Sequence, residues 1–172
     1  LNYPDVRILL CCATDEKAQI IVNKIKQHFQ FNPLFRYLFP ELCPESKKAS
    51  DWGSKTEFTI EGRARRGDEP TLMTAAVGKA LASTHHDVIK CSDVVTENNV
   101  RTPGQIQDVV DFFGYLEPLR ERGPSPDGQP NPGWLDIEGT IYDFSDYYSR
   151  TLDRLRANPS PFWKATVQSC WL

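Results

Sequence analysis

Short, nearly unbroken apolar runs alternate along this chain with longer stretches in which apolar residues recur every three or four positions. Residues 6–13 (Val-Arg-Ile-Leu-Leu-Cys-Cys-Ala) predict a central parallel strand covered on both faces. Thr14 or Asp15 then offers a helix cap. Ala18, Ile21, Val22, Ile25 and Phe29 follow one helical face, with Lys17, Lys24 and Lys26 at polar positions. From Asn32 to Lys55, Pro33, Pro40 and Pro44 predict an irregular segment, with Phe35, Tyr37, Leu38 and Phe39 packed over the domain edge. Residues 58–60 and 71–76 read as short strands, separated by a loop carrying Arg63, Arg65 and Arg66.

The pattern repeats in the second half. Residues 87–95 form another apolar run that reaches the acid Asp93, followed by the polar loop Thr96-Glu97-Asn98-Asn99. Past Pro103, a suitable first-turn residue, Ile106, Val109, Val110 and Phe113 mark an amphipathic helix. Residues 117–131 are rich in Pro, Gly and charge and predict an exposed loop. A strand over 134–139, a helix over 145–156 and a last strand over 162–167 complete the order. Strands alternating with helices predict an α/β fold with a mainly parallel sheet.

The bulk numbers narrow the classes. At 172 residues and 40% hydrophobic content the chain suits one domain with a real core. A formal charge of -3 excludes a protein that coats nucleic acid through overall basicity, so any DNA contact is local. The N-terminal residues are polar and the first apolar run is short, which predicts neither a signal peptide nor a membrane span. Five Cys, including the adjacent Cys11 and Cys12, suit neither a disulfide framework nor a zinc site and predict reduced, buried thiols. A strand already under way at the start, no initiator Met, and an end at Cys170-Trp171-Leu172 straight after another predicted strand are expected of a piece of a longer chain.

In open parallel sheets ligands bind where strands meet their following loops, which singles out Thr14-Asp15, Ser92-Asp93 and Gly139-Thr140. Nucleotide hydrolysis needs carboxylates at such a strand end to hold Mg²⁺ and orient water, and Asp93 suits that role; carboxylates also cap turns. His85 and His86 are adjacent, so on a strand they face opposite ways, and a turn role is expected for them rather than shared metal ligation. Lys90 lies within an apolar strand, where it requires a strand end or a carboxylate for its ammonium.

The stretch from Ala75 through Gly78-Lys79, His85-His86-Asp87, Val88-Ile89-Lys90-Cys91-Ser92-Asp93 and Glu97-Asn98-Asn99 to Arg101-Thr102 resembles the Walker B neighbourhood of tailed-phage large terminases. In that family a glycine-containing turn and a His-aromatic-Asp entry lead into an apolar strand ending in Asp-Asp. An acidic Asn-rich loop and Arg-Thr follow. Gly139-Thr140-Ile141-Tyr142, with Asp146 and Tyr147 beyond, is similar to the family's coupling motif. The opening strand and helix, and the segment from Phe35 to Leu42, resemble the elements that follow the family's ATP-anchoring helix. The resemblance implies that residues 1–172 are an internal part of a P-loop ATPase domain, which in the intact motor couples ATP hydrolysis to packaging of viral DNA.

It further implies Asp93 as the water-orienting acid, Ser92 and Asp93 beside Mg²⁺, and Gly139 and Thr140 as γ-phosphate sensors. One of Arg63, Arg65 and Arg66 would reach a neighbouring subunit's ATP. Mg²⁺ and ATP are the implied cofactors, with double-stranded viral DNA, the portal protein, the small terminase subunit and further copies of the chain as partners. No membrane partner is expected, and the place is the host bacterial cytoplasm. The departures are specific. No G-x-x-x-x-G-K-[ST] occurs; Gly78-Lys79 is followed by Ala80, with Met73 where the first glycine would stand. The resemblance places that loop before Leu1 and a nuclease domain after Leu172. Ser92 stands where the family has the first Asp of its pair and supplies no negative charge to a metal. These 172 residues alone are therefore expected to lack substantial ATPase activity. A non-enzymatic interaction module or prophage remnant, and a fragment of another ATPase of this class, are the competing readings.

Overall fold

The computed structural model describes residues 4–45, 52–64, 69–79, 84–121, 123–124, 130–131 and 133–168. Its centre is strand β1 (Ile8–Cys12), whose side chains divide between two layers. Leu9 and Cys11 face one core, and Leu10 and Cys12 face the other, all of them buried as the continuous apolar run predicts. The Thr14 side chain accepts from the Lys17 N–H and starts helix α1 (Asp15–Phe31), with Asp15 and Glu16 in the first turn where the helix dipole favours anions.

α1 lays Ala18, Val22 and Phe29 over Leu10 and Cys12. Lys26, expected to point outward, is instead buried: its Nζ lies 5.3 Å from the centroid of the Trp52 ring and donates to the Ser54 carbonyl at 2.7 Å. An ammonium on a long apolar stem can cross a hydrophobic layer when a carbonyl waits at its far end. The proline-rich segment is also more regular than expected. Asn32 caps helix α2 (Pro33–Leu38) by accepting from the Phe35 N–H, and Pro33 sits in the first turn, where its missing N–H costs nothing. Phe35 and Phe39 pack as expected, with Phe35 edge-on to Phe29, whereas Tyr37 and Leu38 point to solvent.

β2 (Glu57–Phe58) pairs antiparallel with β3 (Leu72–Ala76), which pairs parallel with β1. On the other side of β1 lies β4 (Val88–Ser92), and beyond it β7 (Trp134–Glu138), both parallel. The five-stranded order is β2-β3-β1-β4-β7, so the fold is α/β with a mixed, mostly parallel sheet. A two-residue ribbon, β5 (Gly123–Pro124) with β6 (Pro130–Asn131), interrupts the predicted loop before β7. That loop is partly anchored too, because Leu119 is buried and Arg120 bridges to His86.

Helix α3 (Pro103–Leu116) begins with a reciprocal Thr102–Gln105 capping box and sets Val109, Phe112, Phe113 and Leu116 against Leu9, Ile89 and Cys91. Helix α4 (Tyr147–Ala157), capped by Asp146, joins the same layer by stacking Tyr147 on Phe113 at 3.7 Å between ring centroids. The β1–α1–β3 crossover runs one way along the sheet and β4–α3–β7 the other, which puts the two helices on opposite faces.

The last expected strand, over 162–167, does not form. Those residues are irregular, and Phe162 is 93% exposed. An apolar stretch becomes a strand only with a neighbour to take its N–H and C=O groups, and none pairs with it among the described residues. No helix among the described residues is long and apolar enough to cross a membrane.

Candidate functional site

Because the crossovers diverge between β1 and β4, the carboxyl ends of these two strands mark the topological switch point, where open α/β sheets leave a crevice. A shallow pocket of about 180 Å³ lies there, lined by Cys12, Lys17, Ile20, Ile21, Ser92 and Asp93. Asp93 stands one residue past β4 with φ of 48°, a left-handed conformation rare outside glycine and more accessible to Asp than to most residues. The turn exposes its carboxylate, while the next two residues, Val94 and Val95, are fully buried and pin the loop.

The ends of β4 and β7 are laced together. Ser92 pairs with Glu138 in the ladder, and the Asp93 N–H donates to the Glu138 carbonyl at 3.1 Å. The Tyr148 hydroxyl donates to that same carbonyl at 3.2 Å and accepts from the Val95 N–H at 3.4 Å. Gly139 has no room for a side chain, since a Cβ there would lie 2.5 Å from the Tyr148 ring. Thr140 is exposed on the following loop, which closes on Asp146. That buried carboxylate accepts from the N–H groups of Tyr142, Asp143 and Ser149. Thus Ser92, Asp93, Gly139 and Thr140 come to one edge of the sheet from two neighbouring strands.

The side chains beside them form a charged ladder that sequence reasoning missed in part. Lys90 Nζ lies 2.7 Å from Asp136 Oδ2 and 2.8 Å from Glu138 Oε2, and Ser92 Oγ donates to Glu138 Oε1 at 3.0 Å. The need of Lys90 for a carboxylate was legible. Asp136 and Glu138 were not singled out, although their i, i+2 spacing places both on one face of β7. The hydrogen bond from Lys90 holds the Glu138 carboxyl below its usual range, with Ser92 adding to it. Partial burial alone would lower the Lys90 pKa, but bonds to the two carboxylates outweigh it and raise it.

Thr14 is spent as a helix cap, and Asp15 forms an ion pair with Lys79, which follows the positive-φ turn at Gly78. No group of three or more His, Cys, Asp or Glu able to hold a metal occurs among the described residues. The donor set at the β4 end does not fit a resident Mg²⁺. Lys90 and Ser92 occupy the Glu138 oxygens, and Asp93 is left as the one carboxylate there outside the ladder. Hard divalent cations favour several anionic oxygens.

Arg63 lies at the opposite end of the sheet. It is buried, donates to the Glu69 carbonyl ahead of β3 and sits 4.0 Å from Asp5 ahead of β1. Its guanidinium is turned into its own chain. Arg65 and Arg66 lie outside the described residues. At that same end His86 is fully buried, with its backbone paired to Leu119 and Glu121 and its Nε2 near Thr84 Oγ1, so it is a core residue and not a simple turn. Burial pushes its pKa down to about 4. Arg7 anchors this end through Asp87, Glu69 and Glu121. Cys11, Cys12, Cys43 and Cys91 are free and buried, as expected; Cys170 lies outside the described residues. No protein-family model matches the chain, and no curated protein sequence matches it.

Proposed function

We propose that this chain is part of the ATPase domain of a tailed-phage large terminase, a P-loop motor that couples ATP hydrolysis to DNA packaging. The observation that supports the reading best is the adjacency of β4 and β7. Two segments 46 residues apart, each similar to a different terminase motif, end side by side with Ser92 opposite Glu138 and Gly139-Thr140 next in line. A nucleotide motor needs that proximity, because the strand that orients the attacking water must sit beside the strand that senses the γ-phosphate.

In this reading Asp93, exposed on its strained turn, orients water, and Gly139 and Thr140 relay loss of the γ-phosphate into α4 through Tyr148 and Asp146. The phosphate grip comes from a loop these 172 residues do not contain. The outer edge of β7 has no strand on it among the described residues, and on the α1 side of the sheet Trp134 is 67% exposed. A parallel strand added there and joined by a helix to β1 would, by the right-handed rule, place that helix over Val88 and Trp134. Mg²⁺ would arrive with ATP and the phosphate loop. Arg63 would have to leave its internal contacts to act on a neighbour's nucleotide; Arg65 and Arg66 remain the other choices. DNA, the portal, the small subunit and sister copies are partners of the same proposal.

The second reading, a non-enzymatic interaction module, is favoured by Ser92, whose hydroxyl is committed to Glu138. Calorimetric titration separates the two. Mg-ATP should bind this chain no more tightly than about 1 mM, and a version preceded by a phosphate-loop strand and helix should bind it in the micromolar range. Micromolar binding by the chain alone, or none by the extended version, would sink the motor reading.

A further inference from the structure

We propose that the Lys90 ammonium is a built-in counter-cation for the Asp136 and Glu138 carboxylates of β7, and that it closes this pair to divalent metal ions. Lys90, Asp136 and Glu138 lie on one face of two paired strands, with Lys90 directly opposite Asp136. Its Nζ bridges one oxygen of each carboxylate, at 2.7 and 2.8 Å, and Ser92 Oγ takes the remaining Glu138 oxygen at 3.0 Å. Without the ammonium, two carboxylates two residues apart on one strand face would repel each other across partly exposed space. With the Ser92 oxygen on Glu138, the pair would then offer anionic oxygens to a hard cation. The ammonium meets the same electrostatic demand from within the chain. A divalent ion entering here would have to displace a cation tethered by its own backbone.

The partners are held by sheet register and not by loop geometry. Backbone pairing over Val88–Trp134, Ile89–Leu135, Lys90–Asp136, Cys91–Ile137 and Ser92–Glu138 fixes the ammonium against both acids. This closure rests on the β4–β7 ladder and not on the terminase reading, in which ATP and the phosphate loop, and not Glu138, would hold Mg²⁺.

The test is titration of the full chain with Mn²⁺ alone, followed by electron paramagnetic resonance of the free ion. The native chain should bind Mn²⁺ more weakly than about 1 mM, Lys90→Met should bind at least about tenfold more tightly, and Glu138→Gln added to Lys90→Met should abolish the gain. Lys90→Arg, which keeps the charge, should behave as the native chain. Native binding tighter than 1 mM overturns the proposal, whether or not the variants fold. So does the absence of a gain in a folded Lys90→Met or, if that variant does not fold, in Lys90→Gln.

Discussion

Asp93, Gly139 and His86 are each explained by a different local cost. Asp93 holds a left-handed backbone that glycine adopts freely, so Asp93→Gly should leave stability unchanged within about 1 kcal/mol, or raise it, while removing the carboxylate. Urea unfolding measures this, and a loss well beyond that margin would make the acid structural. Gly139→Ala meets the Tyr148 ring and should cost about 1–3 kcal/mol by the same assay. His86 is held neutral by burial, with its pKa pushed down to about 4, whereas in the unfolded chain it titrates near its ordinary value of about 6.5. Between those values the unfolded state binds the extra proton. His86 therefore contributes stability that is fully present above about pH 6.5 and is lost as pH falls toward about 4, on the order of 3 kcal/mol at most. Glu69, Asp87, Arg7 and His85 surround it, and against the opposing effect of burial the His85 N–H and Arg7 hold the Glu69 carboxyl below its usual range. The difference between native and His86→Gln urea midpoints at pH 7.5 and 4.5 isolates its share. An equal acid loss in both chains would contradict the assignment.

At the scale of elements, the sequence was most legible where pattern and capping agreed. β1 is apolar on both faces because helices cover both. α1 follows Thr14, one of its two expected caps, and α3 opens on Pro103, its expected first-turn residue. α2 was hidden because Pro33 reads as a breaker unless Asn32 is recognised as its cap. The strand over 162–167 was misread because periodicity carries no information about whether a pairing partner exists. The candidate site was legible as strand ends, since Asp93 lies at the end of an apolar run and Gly139-Thr140 at the end of an expected strand. Its ladder was not, because Asp136 and Glu138 gain meaning only once β7 is set beside β4. Asp146 was noted for its resemblance, and the fold gives it a structural task as the buried acceptor for three backbone N–H groups. Asp146→Ala should cost about 2 kcal/mol, with weakened hydrogen-exchange protection at Tyr142, Asp143 and Ser149. Unchanged protection there would show that the cap is dispensable.

Across the whole molecule, one half of the sheet is covered on both faces and the other ends on β7 with apolar groups in solvent, among them Trp134 and the 97%-exposed Phe144. Open edges beside such groups invite pairing between copies, so sedimentation velocity should show association that grows with concentration and weakens in Trp134→Glu. A monomer at all concentrations would contradict this. The central claim, that the β4 end is the catalytic edge of a nucleotide motor, is tested most directly by ATP turnover in a version of the chain preceded by a phosphate-loop strand and helix. The account predicts hydrolysis there, reduced at least about 100-fold by Asp93→Asn with ATP affinity changed less than about threefold, because a water-orienting acid acts in the transition state. Turnover indifferent to Asp93→Asn would contradict it and leave Asp93 as a turn residue.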